Sequence, residues 1–209
     1  MSDFVKFMGE NTWVAILIGA LAGLIVAYAT IATQRNINRR RATVDMINLK
    51  LWDGDYYSTA DIFYSIMKEQ KKLMEFYDAF IEVRDLKRSG KWDAIGEEEQ
   101  RKYAPAVDTI LKVKAILNDR ELVAIGIREG TYDEVIYRRW WYSTFMEEWR
   151  ASVTLISRIR SDVQAPPLGA AYSEMEALAK RWQAEGPWTT QDRHFRLPGG
   201  RIVTISRSR

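Results

Sequence analysis

The side chains able to do acid–base or metal chemistry are few, and their spacing does not suit it. His194 is the only histidine and there is no cysteine. A Ser–His–Asp arrangement would depend on this one histidine, which lies among arginines in the C-terminal tail. The sequence also lacks the pattern of the tight turn that carries a nucleophilic serine. Asp53 and Asp55 lack the further oxygen ligands of a calcium loop and are typical of a turn. We predict no catalytic residue, no metal site and no bound cofactor.

Adjacent carboxylates occur in several predicted helices, where neighbouring residues point in different directions. We interpret most of them as solvated helix sides or ends. Glu121 differs because it lies in a very apolar helix, one turn after Asn118. A carboxylate in such surroundings needs a partner, for which we expect an arginine. Asn118 and Glu121 are the predicted buried polar site, and we favour a structural role for it over a ligand site. The other pairs are Asp133 with Glu134 and Glu147 with Glu148.

A run of basic and aromatic residues begins at Arg138 and Arg139. Such a mixture can stack nucleic-acid bases or lie at a membrane interface. Most of the rings recur at four-residue spacing, which is the pattern of a helix core, but Trp140 is off that stripe. Core packing explains most of these rings, and Arg138, Arg139 and Trp140 are the candidates for contact with a protein partner or with lipid. A net charge of +3 over 209 residues gives no reason to expect nucleic acid.

Residues 11–34 contain no charged side chain and supply the length of a membrane-spanning helix. A bilayer core of about 30 Å requires roughly 20 apolar residues in a helix. Backbone groups in hydrocarbon must pair within the segment, so a helix is the expected structure. We predict a transmembrane helix over residues 13–33, with residues 1–12 outside the cytoplasm and Trp13 at one interface.

Small side chains recur every four residues along one side of this predicted helix. Small residues allow two helix backbones to approach closely, which is how helices associate in lipid. We predict that this row packs against a second copy of the chain or against another membrane protein. The row consists of Ala15, Gly19, Gly23 and Ala27.

Four arginines follow the apolar segment, whereas Asp3, Lys6 and Glu10 precede it. Basic residues are retained on the cytoplasmic side, so we place the N-terminus outside and the rest in the cytoplasm. The arginines can also attract anionic lipid, at about 1 kcal/mol each. A cleaved signal peptide is the alternative, because residues 27–29 resemble a cleavage site, but the leading residues are not basic and the apolar run is long. The arginines are Arg35, Arg39, Arg40 and Arg41.

The composition is that of a folded protein, since 47% of the residues of the whole chain are hydrophobic and 28% charged. We predict a basic helix and turn over residues 34–56 and a helical domain over residues 57–186. Helical periodicity and capping signals set the expected elements. They are a helix over 59–87, capped by Ser58, a short acidic helix from Glu97, a most buried helix from Pro105 to Gly130, a helix capped by Thr131 and Glu134 and ending before Pro166, and a helix over 171–184.

Residues 187–209 have a different character from the rest of the chain. Two short segments flank a Pro-Gly-Gly turn at residues 198–200, which predicts a β-hairpin in a basic tail. The predicted fold class is therefore all-α, with one N-terminal transmembrane helix, a cytoplasmic helical bundle and a short C-terminal β-hairpin.

One stretch of the helical domain resembles a known bacterial family. The matching residues are Ile116, Leu117, Asn118, the segment 121–127, Gly130, Asp133, Glu134, Tyr137 and Trp149. They are similar to the core pattern of domain-of-unknown-function family 4760, and the resemblance covers residues 13–159. It implies an N-terminal membrane helix, a basic stretch, a helical cytoplasmic domain and a bacterial inner membrane. It implies no activity, cofactor or catalytic residue.

The expected function is that of a non-enzymatic, single-pass membrane protein. Its partners would be the lipid bilayer and either a membrane protein or a second copy of the chain. We expect an accessory subunit, scaffold or tether of a membrane complex. One alternative is a membrane-tethered regulator or defence-type effector that senses a ligand near Asn118 and Glu121. Another is an enzyme that acts through carboxylates on lipid-linked substrates.

Overall fold

The computed structural model describes residues 12–162, 171–188, 193–196 and 202–205. The described chain is all-α apart from two short strands near its C-terminus. A single-turn 3₁₀ helix at Trp92–Ala94 joins the third and fourth helices. The α-helices are α1 (Thr12–Trp52), α2 (Gly54–Met67), α3 (Gln70–Arg88), α4 (Glu97–Arg128), α5 (Glu134–Ser161) and α6 (Ser173–Glu185).

Helix α1 combines the predicted apolar segment and the basic segment in one uninterrupted helix. An 18-residue window within it reaches a mean hydropathy of 2.4, and none of that window is buried in the fold. By length and composition the helix can cross a membrane. Beyond the apolar segment it packs on the bundle through Thr43 and Ile47, which are both buried.

Helix α1 runs antiparallel to α4 where the two meet. Arg39 contacts Asp133, just beyond the end of α4, whereas Lys50 contacts Asp119 within α4. The first half of α4 therefore points away from the apolar segment of α1.

The core lies between α2, α3, α4, α5 and α6. Helix α4 contributes eight buried apolar side chains, because its apolar positions recur every three to four residues along the face that meets α2 and α3. The bulkiest apolar side chains that are fully buried are Trp182, Tyr137, Phe63, Phe145, Leu73, Ile110 and Leu117.

The single helix predicted over residues 59–87 is wrong at its start and in its middle. Asp53 caps α2, because its side chain accepts hydrogen bonds from the backbone N–H groups of Asp55 and Tyr56 at 2.9 and 3.2 Å. The helix therefore begins at Gly54. It is interrupted after Met67, where the Gln70 side-chain amide donates to the Met67 carbonyl at 2.8 Å.

The predicted start of a helix at Pro105 is also wrong. Helix α4 is continuous from Glu97, and Pro105 lies inside it. Three glutamates in the first turn favour initiation there through the positive end of the helix dipole. Helix α4, predicted to be the most buried helix, exposes two of its apolar side chains, Leu111 and Leu122, by 53% and 65%.

Helix α5 is capped by Asp133 and not by the predicted Thr131. The Asp133 side chain accepts from the N–H of Ile136 at 3.1 Å. Before it, the chain turns tightly at Gly130, whose φ of +74° suits glycine. The ring of Tyr132 lies against Gly126, and a Cβ there would meet the ring carbon Cε2 at 2.7 Å.

The predicted hairpin lies largely outside the described residues, since its turn at residues 198–200 is among those not described. The backbone of Arg193–Arg196 pairs antiparallel with that of Ile202–Ile205. The hairpin as a whole stays a prediction. Helix α5 ends at Ser161, which confirms the predicted helix end before Pro166.

Candidate functional site

A buried ion pair between α4 and α5 is the most unusual polar feature of the described chain. Arg120 and Glu148 are 0% and 1% exposed. The guanidinium is bidentate: Nε donates to one carboxylate oxygen of Glu148, and Nη2 donates to the other at 2.8 Å. Charges this deep are stable only when the geometry is good and further hydrogen bonds complete it.

The further hydrogen bonds come from α2 and from the neighbouring residue on α4. Arg120 Nη2 donates to the Tyr56 hydroxyl at 2.7 Å, and Nη1 donates to Asp119 Oδ2, also at 2.7 Å. The Tyr64 hydroxyl donates to Glu148 Oε1 at 2.6 Å. These contacts join three helices through one guanidinium.

Helix α1 reaches the same centre through Lys50. Its ammonium lies 2.5 Å from Asp119 Oδ2, the oxygen that also accepts from Arg120. We call the residues Lys50, Tyr56, Tyr64, Asp119, Arg120 and Glu148 the buried ion-pair centre. It contains two positive and two negative charges, all of them paired within the set.

Aromatic rings surround the guanidinium. The Trp141 ring centroid lies 4.8 Å from Arg120 Cζ and that of Tyr56 lies 5.9 Å away. The Tyr137 hydroxyl and Trp141 Nε1 are buried in the same region, without a hydrogen-bond partner among the described residues.

Burial controls protonation in the centre. It raises the pKa of the Tyr64 phenol, and the negative charge of Glu148 adds to that effect. Burial also raises the pKa values of Tyr56 and Tyr137, although Arg120 opposes the rise in both. It lowers the pKa of the Lys50 ammonium against the attraction of Asp119. The phenols therefore remain neutral hydrogen-bonding groups at neutral pH.

This arrangement is suited to holding helices together. Each of the two carboxylates accepts from a cation, and the guanidinium face is covered by a ring. Among the described residues, no group of three or more His, Cys, Asp or Glu side chains is placed to hold a metal ion.

The predicted polar site at Asn118 and Glu121 has different partners from those expected. The Glu121 carboxylate accepts from the backbone N–H groups of Glu174 and Met175, at 3.2 and 2.7 Å. It thus caps the N-terminus of α6, and the expected arginine partner is wrong. Asn118 is exposed, and its Oδ1 accepts from the Tyr172 hydroxyl at 3.1 Å. Burial raises the pKa of Tyr172 to about 12.

The three residues predicted as a partner contact lie in different environments. Arg138 is fully buried and donates to Glu185 and to the carbonyl of Gly186, and the Trp188 ring centroid lies 4.1 Å from its guanidinium. It closes the C-terminal end of α6 and does not belong to an exposed surface. Arg139 is exposed, and Trp140 is 60% exposed.

The small-residue row lies along α1, where a Cβ at Gly19 or Gly23 would meet nothing within 4 Å. Of the four arginines, Arg35 is exposed and Arg41 pairs with Asp45 at 3.7 Å. Arg39 and Arg40 approach the buried carboxylate of Asp133 at 3.4 and 3.6 Å. Two of the predicted lipid-facing arginines therefore also connect α1 to α5.

Sequence reasoning missed the buried pair, and Glu148 was wrongly interpreted as solvated. A signal was present in the spacing. Arg120 follows Ile116 by four residues and precedes Val123 by three, so it shares the apolar face of α4. Glu148 follows Phe145 by three residues on the inner face of α5.

Comparison with known proteins gives one match. The model of the family DUF4760, a domain of unknown function, matches residues 17–182. The match extends from the apolar segment of α1 into α6, and so includes the buried ion-pair centre. No curated protein and no solved structure matches the chain.

Proposed function

The chain belongs to the DUF4760 family, and on that premise we propose that it is a single-pass membrane protein whose helical domain binds other proteins. It acts as an accessory subunit, scaffold or tether of a membrane complex. The observation that carries the proposal is helix α1, in which an exposed apolar segment continues without a break into a part that packs on the bundle.

The proposal places the helical domain in the cytoplasm, at the inner membrane of a bacterium. Support comes from Arg35, Arg39, Arg40 and Arg41, which follow the apolar segment directly. The ion pairs of Arg39 and Arg40 with Asp133 orient the domain relative to the helix as it leaves the bilayer.

Cysteine labelling tests the orientation, because the chain has no cysteine of its own. We expect Ser2→Cys in intact cells to react with a maleimide that cannot cross membranes. Ser89→Cys, at the end of α3, should react only after the cells are permeabilised. The reverse pattern, or recovery of the intact chain in a salt-washed soluble fraction, would overturn the assignment.

Partner binding in the bilayer is supported by the row Ala15, Gly19, Gly23 and Ala27, whose surface is open along α1. Gly23→Leu should weaken crosslinking through a cysteine at Ala15. Ala32→Leu is the matched control, since it places the same side chain on the opposite face of the helix. Equal crosslinking in both variants would argue against association through the row.

Partner binding by the domain is supported by Trp140, a large ring that is 60% exposed. A photo-crosslinking residue at Trp140 should capture a defined protein in cells. The same residue at Lys71, a highly exposed side chain on α3, should not capture it. A chain that purifies from mild detergent as a monomer, with no crosslinked product at Trp140, would contradict the proposal.

A further inference from the structure

The positive charge of the chain is concentrated in two segments that lie far apart in sequence. Residues 34–44, which we call the juxtamembrane segment, contain four arginines and no acidic residue, a net charge of +4. Residues 187–209, the C-terminal tail, contain five arginines and one aspartate, also a net charge of +4. Residues 45–186 between them contain 21 basic and 25 acidic side chains, a net charge of −4. The helical domain is therefore acidic, and basic segments flank it on both sides.

The fold brings the end of α6 to the juxtamembrane segment. Arg40 Nε lies 3.6 Å from the carboxylate of Asp133, the cap of α5. The next residue, Glu134, accepts from Trp182 Nε1 at 2.9 Å and from Arg181 Nη2 at 2.8 Å. The last turns of α6 thus lie against the first turn of α5, at the place where α1 also meets it.

The C-terminal tail begins at this same end of the bundle. Arg138, on the second turn of α5, donates to the carbonyl of Gly186, and the Trp188 ring centroid lies 4.1 Å from its Cζ. Arg138 follows Asp133 by five residues, about 7.5 Å along the helix, and Arg40 follows the apolar segment by seven, about 10 Å. Trp188 is therefore held within roughly 20 Å of the predicted lipid boundary.

The length of the tail is sufficient to reach the bilayer from that point. An extended chain spans up to about 3.3 Å per residue, so residues 189–209 can cover up to about 70 Å. Arg193 and Arg196 come five and eight residues after Trp188. Both can thus reach lipid headgroups at the leaflet that α1 leaves.

Two basic segments at one end of the bundle require counter-charges from outside it. Asp133 and Glu134, the carboxylates at this end of α5, are 4% and 5% exposed and already pair with Arg40 and Arg181. A leaflet with anionic lipids carries a negative surface potential that attracts arginines within about a Debye length. Phosphate groups of such a leaflet can neutralise both segments at once.

We propose that the C-terminal tail binds the phosphate groups of anionic phospholipids at the leaflet where the juxtamembrane segment leaves the bilayer. The proposal rests on the proposed function in one respect, namely that α1 spans the membrane. The helical domain is then attached to the membrane on both sides of its sequence, through α1 before it and through the tail after it. A second attachment limits how far the bundle can tilt or rotate relative to the bilayer.

The test uses the full chain in lipid nanodiscs, with a fluorophore on Thr204→Cys in the tail, since the chain has no cysteine of its own. The quencher is a phospholipid that carries a spin label on its headgroup. Discs of phosphatidylcholine with phosphatidylglycerol are compared with discs of phosphatidylcholine alone. A fluorophore on Ser89→Cys, at the end of α3, is the control for position.

We expect the tail fluorophore to be quenched in the discs that contain phosphatidylglycerol, and raised salt to relieve the quenching. Arg193→Gln together with Arg196→Gln should lower the ratio of lipid-bound to free tail about tenfold. Arg101→Gln together with Arg150→Gln removes two exposed arginines from α4 and α5 and should change the ratio less than about twofold. Circular dichroism checks that both double variants keep the helical fold.

Three results would overturn the inference. They are equal quenching with and without phosphatidylglycerol, no quenching in either kind of disc, and an equal loss in the two double variants. Retention of the chain in discs after a salt wash reports the insertion of α1 separately. A chain that is washed off contradicts the proposed function, whereas a retained chain with an unquenched tail contradicts the lipid contact alone.

Discussion

Arg120 and Glu148 bring opposite charges into an interior where each, alone, would cost several kcal/mol of desolvation. Their bidentate geometry, the hydrogen bond that Arg120 donates to Tyr56 and the one that Glu148 accepts from Tyr64 offset that cost. An apolar pair of the same size could give equal stability, so the ion pair contributes chiefly directionality. The bidentate ion pair and its hydrogen bonds form together only in one relative placement of α2, α4 and α5.

Replacing Glu148 with glutamine tests this role directly. The change keeps the shape of the side chain but leaves Arg120 buried without its main counter-ion. We expect the free energy of unfolding of the full chain in micelles to fall by about 3 to 5 kcal/mol. Urea titration followed by circular dichroism measures it.

The neighbouring carboxylate provides the control for that measurement. Glu147 is exposed, and Glu147→Gln should change the free energy of unfolding by no more than about 0.5 kcal/mol. Joint replacement by Arg120→Met and Glu148→Leu should cost much less than Glu148→Gln alone, because no unpaired charge is left inside. A similar loss in Glu148→Gln and in the double variant would show that packing, and not charge pairing, matters at this position.

At the scale of elements, helix ends with local signals were predictable and those with distant causes were not. Gly90, Gly130 and Gly186 end α3, α4 and α6 with φ of +68°, +74° and +73°, as expected of glycine. The break between α2 and α3 contains neither Gly nor Pro. It is held by Gln70, whose amide also donates to the carbonyl of Ala151, 81 residues away in sequence. A local sequence pattern carries no information about such a distant contact.

Helix α6 is an element whose start depends on another helix. Its own N-cap residue, Tyr172, makes no side-chain capping bond and has a left-handed φ of 58°. The Glu121 carboxylate on α4 takes the two free N–H groups instead. The sequence singled out Glu121 correctly as a carboxylate in need of a partner, but a backbone partner leaves no sequence signature.

Removing this cap should loosen α6 selectively. We expect Glu121→Ala to cost about 1 to 2 kcal/mol, combining the lost cap with the lost dipole interaction. Hydrogen exchange should accelerate at the first amides of α6, while α4 and α5 keep their protection. Glu98→Ala, an exposed glutamate at the start of α4, is the control. Uniform acceleration across the bundle would contradict a local capping role.

At the scale of the whole molecule, a helix able to cross a membrane is joined to the bundle mainly by polar contacts. They are the ion pairs of Arg39 and Arg40 with Asp133, the hydrogen bond of Thr43 and the ion pair of Lys50 with Asp119. Composition made the apolar segment and the helical class predictable. The attachment of α1 to the bundle was not predictable, because it depends on which face of α1 meets the bundle. The role of the arginines in setting membrane topology already explained their presence, so nothing in the sequence indicated a contact with Asp133.

Thr43 is the most buried of these contacts, and so the attachment can be tested there. Its hydroxyl accepts from the N–H of Asp133 at 2.6 Å and donates to the carbonyl of Arg39 at 2.9 Å. Thr43→Val keeps the shape but leaves the buried N–H of Asp133 unpaired, at a cost of about 1 to 3 kcal/mol. Because few apolar side chains hold α1 to the bundle, we expect this loss to release α1 locally.

Spin labels at Asp45 on α1 and at Lys102 on α4 measure that release, since both positions are exposed. The distance distribution between them should broaden in Thr43→Val and stay narrow in Thr43→Ser, which retains the hydroxyl. Thr109→Val should have no effect, because that hydroxyl bonds only to the carbonyl of Pro105 on the surface of α4. An unchanged distribution in Thr43→Val would mean that the ion pairs at Asp133 and Asp119 alone fix the helix. Broadening would instead show that the Thr43 hydroxyl is needed to hold α1 against the start of α5.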